Sequence, residues 1–487
     1  MRSLGCLALA LLILIPISLT ADSRLTLPID ADRLHQFLSE NGITTKRGLL
    51  RALPDQVARR VLLISDSHSL HRSTPALPRV VHWSPDARFI MSISGQNVGD
   101  APHAGTIEMI QVNERTQDWQ FLTMNATPDG FTPPRDVTRQ CSSCHGERPR
   151  PIWGQYPDWP HAYGGSLGHE GVDAMTEEER NSFWEFIAST REHDAYADLN
   201  IRLTMRGFSL RIPYGLPNTH FGARLGTRHA KVMFDRIRQS PEYGELAPKL
   251  MRVSRHARCG SNRVVDALVD QAYRDKLTRS PEFATRWGDD PTDSAQVQLY
   301  RLLGIDPYQE LRLDVSPTTP VDPGSRDPEG LAWNAGGDGV SGLVEFLVFY
   351  DLLQQDPDLQ RWFASRMELI EGTHWAAFEA SAEEVVAMSL RRTGADRAIK
   401  ALDYERAELT KRGATGGALA SIDRELAAAW RLKHERRDYF SNGLFPFLHF
   451  NIFAPVVEDS YSVYVPMEGD GHKQAICDHL TQNAIAS

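Results

Sequence analysis

Apolar and polar residues alternate with the period of a β-strand between Arg79 and Met124. Turn-forming residues such as Ser84-Pro85-Asp86 interrupt the alternation and divide it into four runs. The runs are Arg79–Trp83, Arg88–Ser94, Thr106–Val112 and Trp119–Met124. Short strands that follow one another with tight turns between them are typical of an antiparallel meander. The pattern therefore predicts a small antiparallel sheet in the N-terminal part of the chain.

Helical periodicity, with apolar residues three and four positions apart, occurs on both sides of this sheet. The predicted helices are Asp32–Asn41, Lys46–Arg60, Gly222–Ser240, Glu242–Arg255, Asn262–Leu277, Val297–Leu303 and Val340–Leu353. The last of these is almost entirely apolar, which predicts a buried helix. Two capping boxes, Thr176-x-x-Glu179 and Ser381-x-x-Glu384, predict further helix starts. The predicted fold class is α+β and mainly helical, with a large helical region after the small N-terminal meander.

The chain has 487 residues, which is longer than one ordinary domain. A loop rich in proline, glycine and aspartate, Thr318–Gly339, predicts a domain boundary or a lid. We expect four parts: a leader over 1–21, the meander and the loop after it over 22–170, a helical region over 171–320 and a C-terminal helical region over 321–487. The tail segment Phe445–Pro466 is aromatic and prone to form β-structure.

The first 21 residues have the pattern of a secretory signal peptide. Arg2 supplies a positive charge, an apolar run follows from Leu4 to Leu19, and Ala21 offers a small residue for cleavage. The apolar run is short for a membrane span and contains Pro16, although an uncleaved anchor stays an alternative. These features predict a bacterial Sec-type export to the periplasm or the medium, with no membrane association once the signal is removed.

Charge and motif content narrow the functional classes. The net charge of −10 argues against general nucleic-acid binding. The chain contains no P-loop and no H-E-x-x-H, and it has no G-x-S-x-G or G-x-G-x-x-G in the strand–turn–helix context that these motifs require. Motif content therefore does not point to a common hydrolase, a nucleotide-binding protein or a zinc protease.

One pentapeptide, Cys141-Ser142-Ser143-Cys144-His145, carries a specific chemical signal. It is the C-x-x-C-H pattern by which two thiols add to the two vinyl groups of one porphyrin while the adjacent imidazole reaches the iron. The pattern occurs once, so it predicts one covalently bound haem c. Structural zinc and a thioredoxin-like redox pair are the rival interpretations, and neither has the partner residues or the flanking βαβ pattern that it needs.

In this pentapeptide and its flanks the chain resembles the c-type cytochromes. The resemblance implies that Cys141 and Cys144 hold the haem in a short loop and that His145 is the proximal iron ligand. It also implies a distal ligand some tens of residues later, for which Met205 is our candidate and Met175, His161 and His169 are alternatives. A proline carbonyl, from Pro149 or Pro151, is expected to accept the second ring N–H of His145.

The residues after the motif are suited to covering the faces of a porphyrin. Four aromatic side chains offer broad apolar surfaces, namely Trp153, Tyr156, Trp159 and Tyr163. Arg148 and Arg150 are candidates for pairing with the haem propionates. An ordinary aromatic core with exposed arginines is the alternative interpretation.

The predicted function is electron transfer through this haem, with a redox protein as partner. The chain is longer than an electron carrier needs, so two alternatives stay open: a haem peroxidase or oxygenase with an open distal site, and a sensory or structural module. Whether the chain is an enzyme is thus not decided at this point. Di-haem peroxidases would need a second C-x-x-C-H, which the chain lacks.

The chain has five cysteines. Cys6 belongs to the signal, and the haem would take two, which leaves Cys259 and Cys477. In an oxidising compartment these two are predicted to form a disulfide, with two buried free thiols as the alternative.

Overall fold

The computed structural model of the protein describes residues 24–151 and 217–311, apart from 59, 68, 255, 256 and 258, and then 338–364, 446–453, 460–466 and 470–487. Isolated residues and short stretches between 163 and 199 and between 367 and 427 are also described, together with 313. The fold is α+β and mainly helical, as the sequence predicted.

Three short helices precede the sheet: α1 (Ala31–Glu40), α2 (Lys46–Ala52) and α3 (Asp55–Ala58). Helix α1 begins where the Asp30 carboxylate accepts a hydrogen bond from the Arg33 backbone N–H at 2.8 Å. The prediction of one helix over Lys46–Arg60 was wrong. Leu53 is extended, with φ −62° and ψ 144°, because Pro54 follows it and disfavours the helical conformation there.

An antiparallel sheet follows, and its strands are β1 (Val61–Ile64), β2 (Arg79–Trp83), β3 (Phe89–Ile93), β4 (Thr106–Asn113), β5 (Asp118–Thr127), β6 (Gly130–Phe131) and β7 (Arg135–Asp136). Strands β1 to β5 lie side by side in chain order, and both β6 and β7 pair with β5. The meander is therefore confirmed. Strand β1 was not predicted, because its four apolar residues show no alternation.

Each face of the sheet is covered by a different set of helices. One face carries Val80, Met91 and Met109, which pack with the buried residues of α1 and α2. The opposite face packs against Phe221, Leu225 and Val232 of helix α5 (Pro217–Arg238), and we call it the motif face because the pentapeptide lies on it. Its buried apolar residues are Leu62, Ile64, Val81, Trp83, Ile90, Ile110, Val112, Trp119 and Phe121, with Val137 beside them.

The remaining described helices form the helical region: α4 (Thr138–His145), α5 (Pro217–Arg238), α6 (Tyr243–Val253), α7 (Arg263–Arg279), α8 (Pro281–Trp287), α9 (Ala295–Leu302), α10 (Asp338–Gln355), α11 (Pro357–Trp362) and α12 (Asp470–Ala486). Helix α10 contributes fully buried residues such as Val344, Phe346 and Val348 to one core with α6, α7 and α9. The predicted buried helix over Val340–Leu353 is thus confirmed. Helices α8, α11 and α12 were not predicted.

The tail forms a β-hairpin and ends in a helix. Strands β8 (Pro446–Phe453) and β9 (Ser460–Pro466) pair in antiparallel fashion, which agrees with the β-prone composition of the tail. Helix α12 follows. Cys477 on α12 forms a disulfide with Cys259, which lies between α6 and α7, and their Cα atoms are 5.5 Å apart. This bond ties the end of the chain to the centre of the helical region.

The capping boxes at Thr176 and Ser381 and the loop Thr318–Gly339 lie outside the described residues, as does the leader. Among the helices of the described part, none has the length and apolar content that crossing a membrane requires.

Candidate functional site

The pentapeptide lies on helix α4, so the prediction that it forms a loop was wrong. The start of α4 is held to strand β5, where the Val137 backbone N–H donates to the Phe121 carbonyl at 2.8 Å. The Asp136 carboxylate accepts from the Thr138 backbone N–H, the first of the helix, at 2.8 Å. The sheet therefore sets the position and direction of the helix that carries the motif.

Helix α4 ends directly after His145. Gly146 has φ +86°, a conformation that glycine adopts at little cost, and its N–H donates to the Ser142 carbonyl at 3.0 Å. The chain thus turns away at once, and the imidazole lies at the end of the helix.

The two motif cysteines are three positions apart on a helix, so they lie on one side of it. Both are free thiols. Cys144 is exposed, whereas Cys141 is half-buried against the apolar residues of the motif face. Burial raises the pKa of Cys141 to about 11, with a smaller contribution from the Glu108 carboxylate. The thiol is therefore protonated at neutral pH, one side of it in an apolar environment and the other near solvent.

The imidazole of His145 is held in one orientation. Its Nδ1 lies 2.6 Å from the Arg150 carbonyl oxygen, and because a carbonyl only accepts, Nδ1 carries the proton. The ring also contacts Phe121, with 4.5 Å between the ring centroids. Within the described part of the chain, Nε2 has no hydrogen-bond partner, so its lone pair is available to a metal.

Burial lowers the pKa of His145 to about 4, and the Arg150 and Arg79 charges contribute in the same direction. The hydrogen bond to the Arg150 carbonyl and the Glu108 charge oppose this shift. The ring is therefore neutral at physiological pH, which is the form that binds iron.

Arg150 anchors the turn that supplies this carbonyl. Its side chain is buried, and its Nε and Nη2 atoms donate to the Gln309 carbonyl at 3.2 and 2.7 Å. The expected acceptor for His145, a carbonyl of Pro149 or Pro151, was wrong, because Arg150 between them provides it. The Arg150 guanidinium already donates to a carbonyl of the helical region, so it is not free to pair with a haem propionate. Arg148, the other candidate for that pairing, is exposed.

The segment that holds Arg150 is itself fixed to the sheet through His229 on α5. Trp119 Nε1 donates to His229 Nδ1 at 3.3 Å, and His229 Nε2 donates to the Glu310 carbonyl at 3.3 Å. Burial lowers the pKa of His229 to about 3, so this ring is neutral as well. The turn after the motif is thus held by both the sheet and the helical region.

One aromatic residue that was predicted to pack against the porphyrin, Tyr163, lies away from the motif. Tyr163 is buried, but it packs into the core on the other face of the sheet, and its hydroxyl donates to the Pro75 carbonyl at 3.0 Å. The assignment of Tyr163 to the haem side was therefore wrong. The other predicted aromatic and distal residues lie outside the described part of the chain: Trp153, Tyr156, Trp159, His161, His169, Met175 and Met205.

The sequence patterns did not predict a group of three largely buried polar residues, two of them on the sheet and one in the connection between β1 and β2. They are His71, Arg79 and Glu108, and they form one cluster. A signal for two of them existed: Arg79 and Glu108 are charged residues at positions of their strands that point the same way as Val81 and Ile110. No spacing rule links them, because the register of the sheet brings them together.

The donor set of α4 fits a c-type haem better than a bare metal ion. The ligand atoms of Cys141, Cys144 and His145 do not all lie within 4.8 Å of one another, so they do not form a preformed zinc site. Two thiols on one side of a helix, an apolar wall and a neutral imidazole with a free Nε2 match the needs of thioether attachment and axial ligation.

No protein-family model matches this chain, and no curated protein or solved structure is significantly similar to it.

Proposed function

We propose that this protein is an exported haem c-binding protein that transfers electrons through one haem attached covalently to Cys141 and Cys144, with His145 as the proximal ligand. The observation that carries the proposal is the hydrogen bond from His145 Nδ1 to the Arg150 carbonyl. It fixes the ring and leaves Nε2 as the coordinating atom, the arrangement that second-shell partners of metal-binding histidines provide. When bound, haem supplies a one-electron couple at its iron.

The residues around the site suit an electron carrier. The Arg150 turn is anchored to Gln309, so the imidazole can keep one position in both redox states and little reorganisation is needed. Phe121 and the apolar residues beside Cys141 exclude water from one side of the site. Cys144 is exposed, so the haem edge attached to it would lie at the surface, where a redox partner protein can approach.

Spectra of the reduced protein with and without carbon monoxide test this function. An electron carrier has a six-coordinate iron, and the low-spin spectrum should stay unchanged when carbon monoxide is added. Rapid binding of carbon monoxide by the wild type would contradict the proposal and favour a peroxidase or oxygenase with an open distal site.

The same spectra identify the distal ligand. If Met205 is the ligand, Met205→Ala should bind carbon monoxide rapidly, while the matched variant Met175→Ala should stay closed. Binding by Met175→Ala alone would assign the distal position to Met175.

A further inference from the structure

His71, Arg79 and Glu108 form a buried cluster of polar side chains. Arg79 Nη2 lies 3.0 Å from Glu108 Oε2, and His71 Nε2 donates to the Thr106 carbonyl at 2.7 Å. His71 Nδ1 lies 3.1 Å from Glu108 Oε2 without a hydrogen bond between them, because the neutral ring carries its proton on Nε2. The exposed fractions of the side chains are 0% for His71, 9% for Arg79 and 17% for Glu108.

The cluster lies on the motif face of the sheet. Glu108 is the register partner of Ser92 on β3 and of Thr123 on β5, and Arg79 Nη2 donates to Ser92 Oγ at 2.7 Å. Thr123 is two residues from Phe121, so their side chains point to the same face. Phe121 in turn contacts the imidazole of His145. The Arg79–Glu108 pair is therefore close to the proximal histidine, on the same side of the sheet.

Stability alone does not account for this ion pair. Removing two charges from water costs free energy that their attraction often fails to recover, and apolar replacements are frequently as stable. The hydrogen bonding is also incomplete, since Arg79 Nε is buried without a hydrogen-bond partner. A buried pair of this kind, next to a candidate redox centre, points to an electrostatic role.

The Arg79 guanidinium is charged at neutral pH. Burial raises the pKa of Glu108, but the Arg79 charge and the hydrogen bonds from Ser69 and the Leu70 backbone outweigh it and hold that pKa below its usual value. Glu108 is therefore ionised at neutral pH. Burial lowers the pKa of His71 to about 4, so this ring is neutral and adds no charge.

We infer that the Arg79–Glu108 pair sets the reduction potential of the haem held by α4, and that its two members act in opposite directions. The inference rests on the proposed function, since it needs a haem on Cys141 and Cys144. Reduction adds one negative charge at the iron. The Arg79 guanidinium favours that added charge, and the Glu108 carboxylate opposes it.

Potentiometric titration at pH 7, with dithionite as the one-electron reductant, tests the inference. Glu108→Gln should raise the midpoint potential and Arg79→Gln should lower it. Each change should correspond to about a tenfold change in the reduction equilibrium, or about 59 mV for a one-electron couple. A purely structural role would not produce shifts of opposite sign. Shifts of the same sign, or no shift, would overturn the inference.

Control variants separate charge from damage to the fold. Arg301 and Asp293 form another buried ion pair, located in the helical region. Arg301→Gln and Asp293→Asn should lower the free energy of unfolding, while the equilibrium constant for reduction of the haem stays within about twofold of the wild-type value. If Arg79→Gln does not fold, Arg79→Lys and Glu108→Asp, which keep their charges, must hold the wild-type potential while Glu108→Gln raises it. A potential that moves equally in Glu108→Asp and Glu108→Gln would overturn the inference.

The haem content of each protein distinguishes this inference from the proposed function. If the wild-type protein carries no covalent haem, both the proposed function and the inference about the Arg79–Glu108 pair are wrong. If the protein carries one haem with normal spectra, but its reduction potential does not change when Arg79 or Glu108 is replaced, only the inference is wrong and the proposed function stands.

Discussion

His145 and Arg150 are joined by two hydrogen bonds that run in opposite directions. The Arg150 backbone N–H donates to the His145 carbonyl at 3.3 Å, and the Arg150 carbonyl accepts from His145 Nδ1 at 2.6 Å. The turn from 145 to 150 therefore determines the orientation of the imidazole by its own backbone. The Arg150 side chain then anchors this turn to Gln309 in the helical region.

Arg150→Ala should loosen the proximal ligand without releasing the haem. The guanidinium hydrogen bonds are buried and charge-assisted, so their loss should lower the free energy of unfolding by about 1.5–3 kcal/mol. With haem bound as proposed, the reduced spectrum should also gain a high-spin component, because the Nε2–iron bond would depend on the position of the turn. Denaturant unfolding and optical spectra measure the two effects.

Arg148→Ala is the matched control for this variant, because Arg148 is exposed two residues earlier in the same turn. It should change stability by less than about 0.5 kcal/mol and leave the spectrum unaltered. Equal effects of the two substitutions would show that Arg150 does not position His145.

The sequence predicted those parts of the fold that local patterns encode. The alternation in Thr106–Val112 gave strand β4, and the apolar run Val340–Leu353 lies within helix α10. The role of the Arg150 carbonyl as acceptor for His145 could not be predicted, because every residue has a carbonyl and only the conformation of the turn determines which one faces the imidazole. The Arg79–Glu108 pair depends on register across three strands, and the residues are 29 positions apart in the chain.

His82 should make the protein sensitive to mild acid. It lies on strand β2, and burial lowers its pKa to about 4 from the usual 6.5, while hydrogen bonds to the Val57 and Arg60 backbones oppose the shift. In the unfolded chain the ring takes up a proton near pH 6.5, but in the folded protein it does so only near pH 4. The stability that neutral His82 provides is therefore complete above pH 6.5 and is lost as the pH falls from 6.5 to 4.

For His82→Gln, the loss of stability between pH 7 and pH 5 should be smaller than in the wild type by about 2 kcal/mol. Denaturant unfolding at the two pH values gives the difference. His103→Asn, a substitution at an exposed histidine, should keep the wild-type pH dependence. An unchanged pH dependence in His82→Gln would show that His82 is not held neutral by burial.

The Cys259–Cys477 disulfide closes a loop with a sequence separation of 218 residues. Loop-closure entropy for so long a loop gives about 5 kcal/mol of stability as an upper figure. Cys259→Ala/Cys477→Ala should accordingly unfold at a lower denaturant concentration and keep its haem. Peptide mapping of the protein without reductant should recover the two cysteines as one linked pair. Two thiols that react with an alkylating agent in the native protein would disprove the bond.

Haem-peroxidase staining after denaturing electrophoresis tests most directly whether haem is attached covalently to helix α4. The full-length chain should be produced in cells that have haem-attachment machinery. Wild type and Ser142→Ala/Ser143→Ala should show colour that migrates with the polypeptide, and Cys141→Ala/Cys144→Ala should show none at an equal amount of protein. A colourless wild type, or colour that persists in the double cysteine variant, would contradict the account.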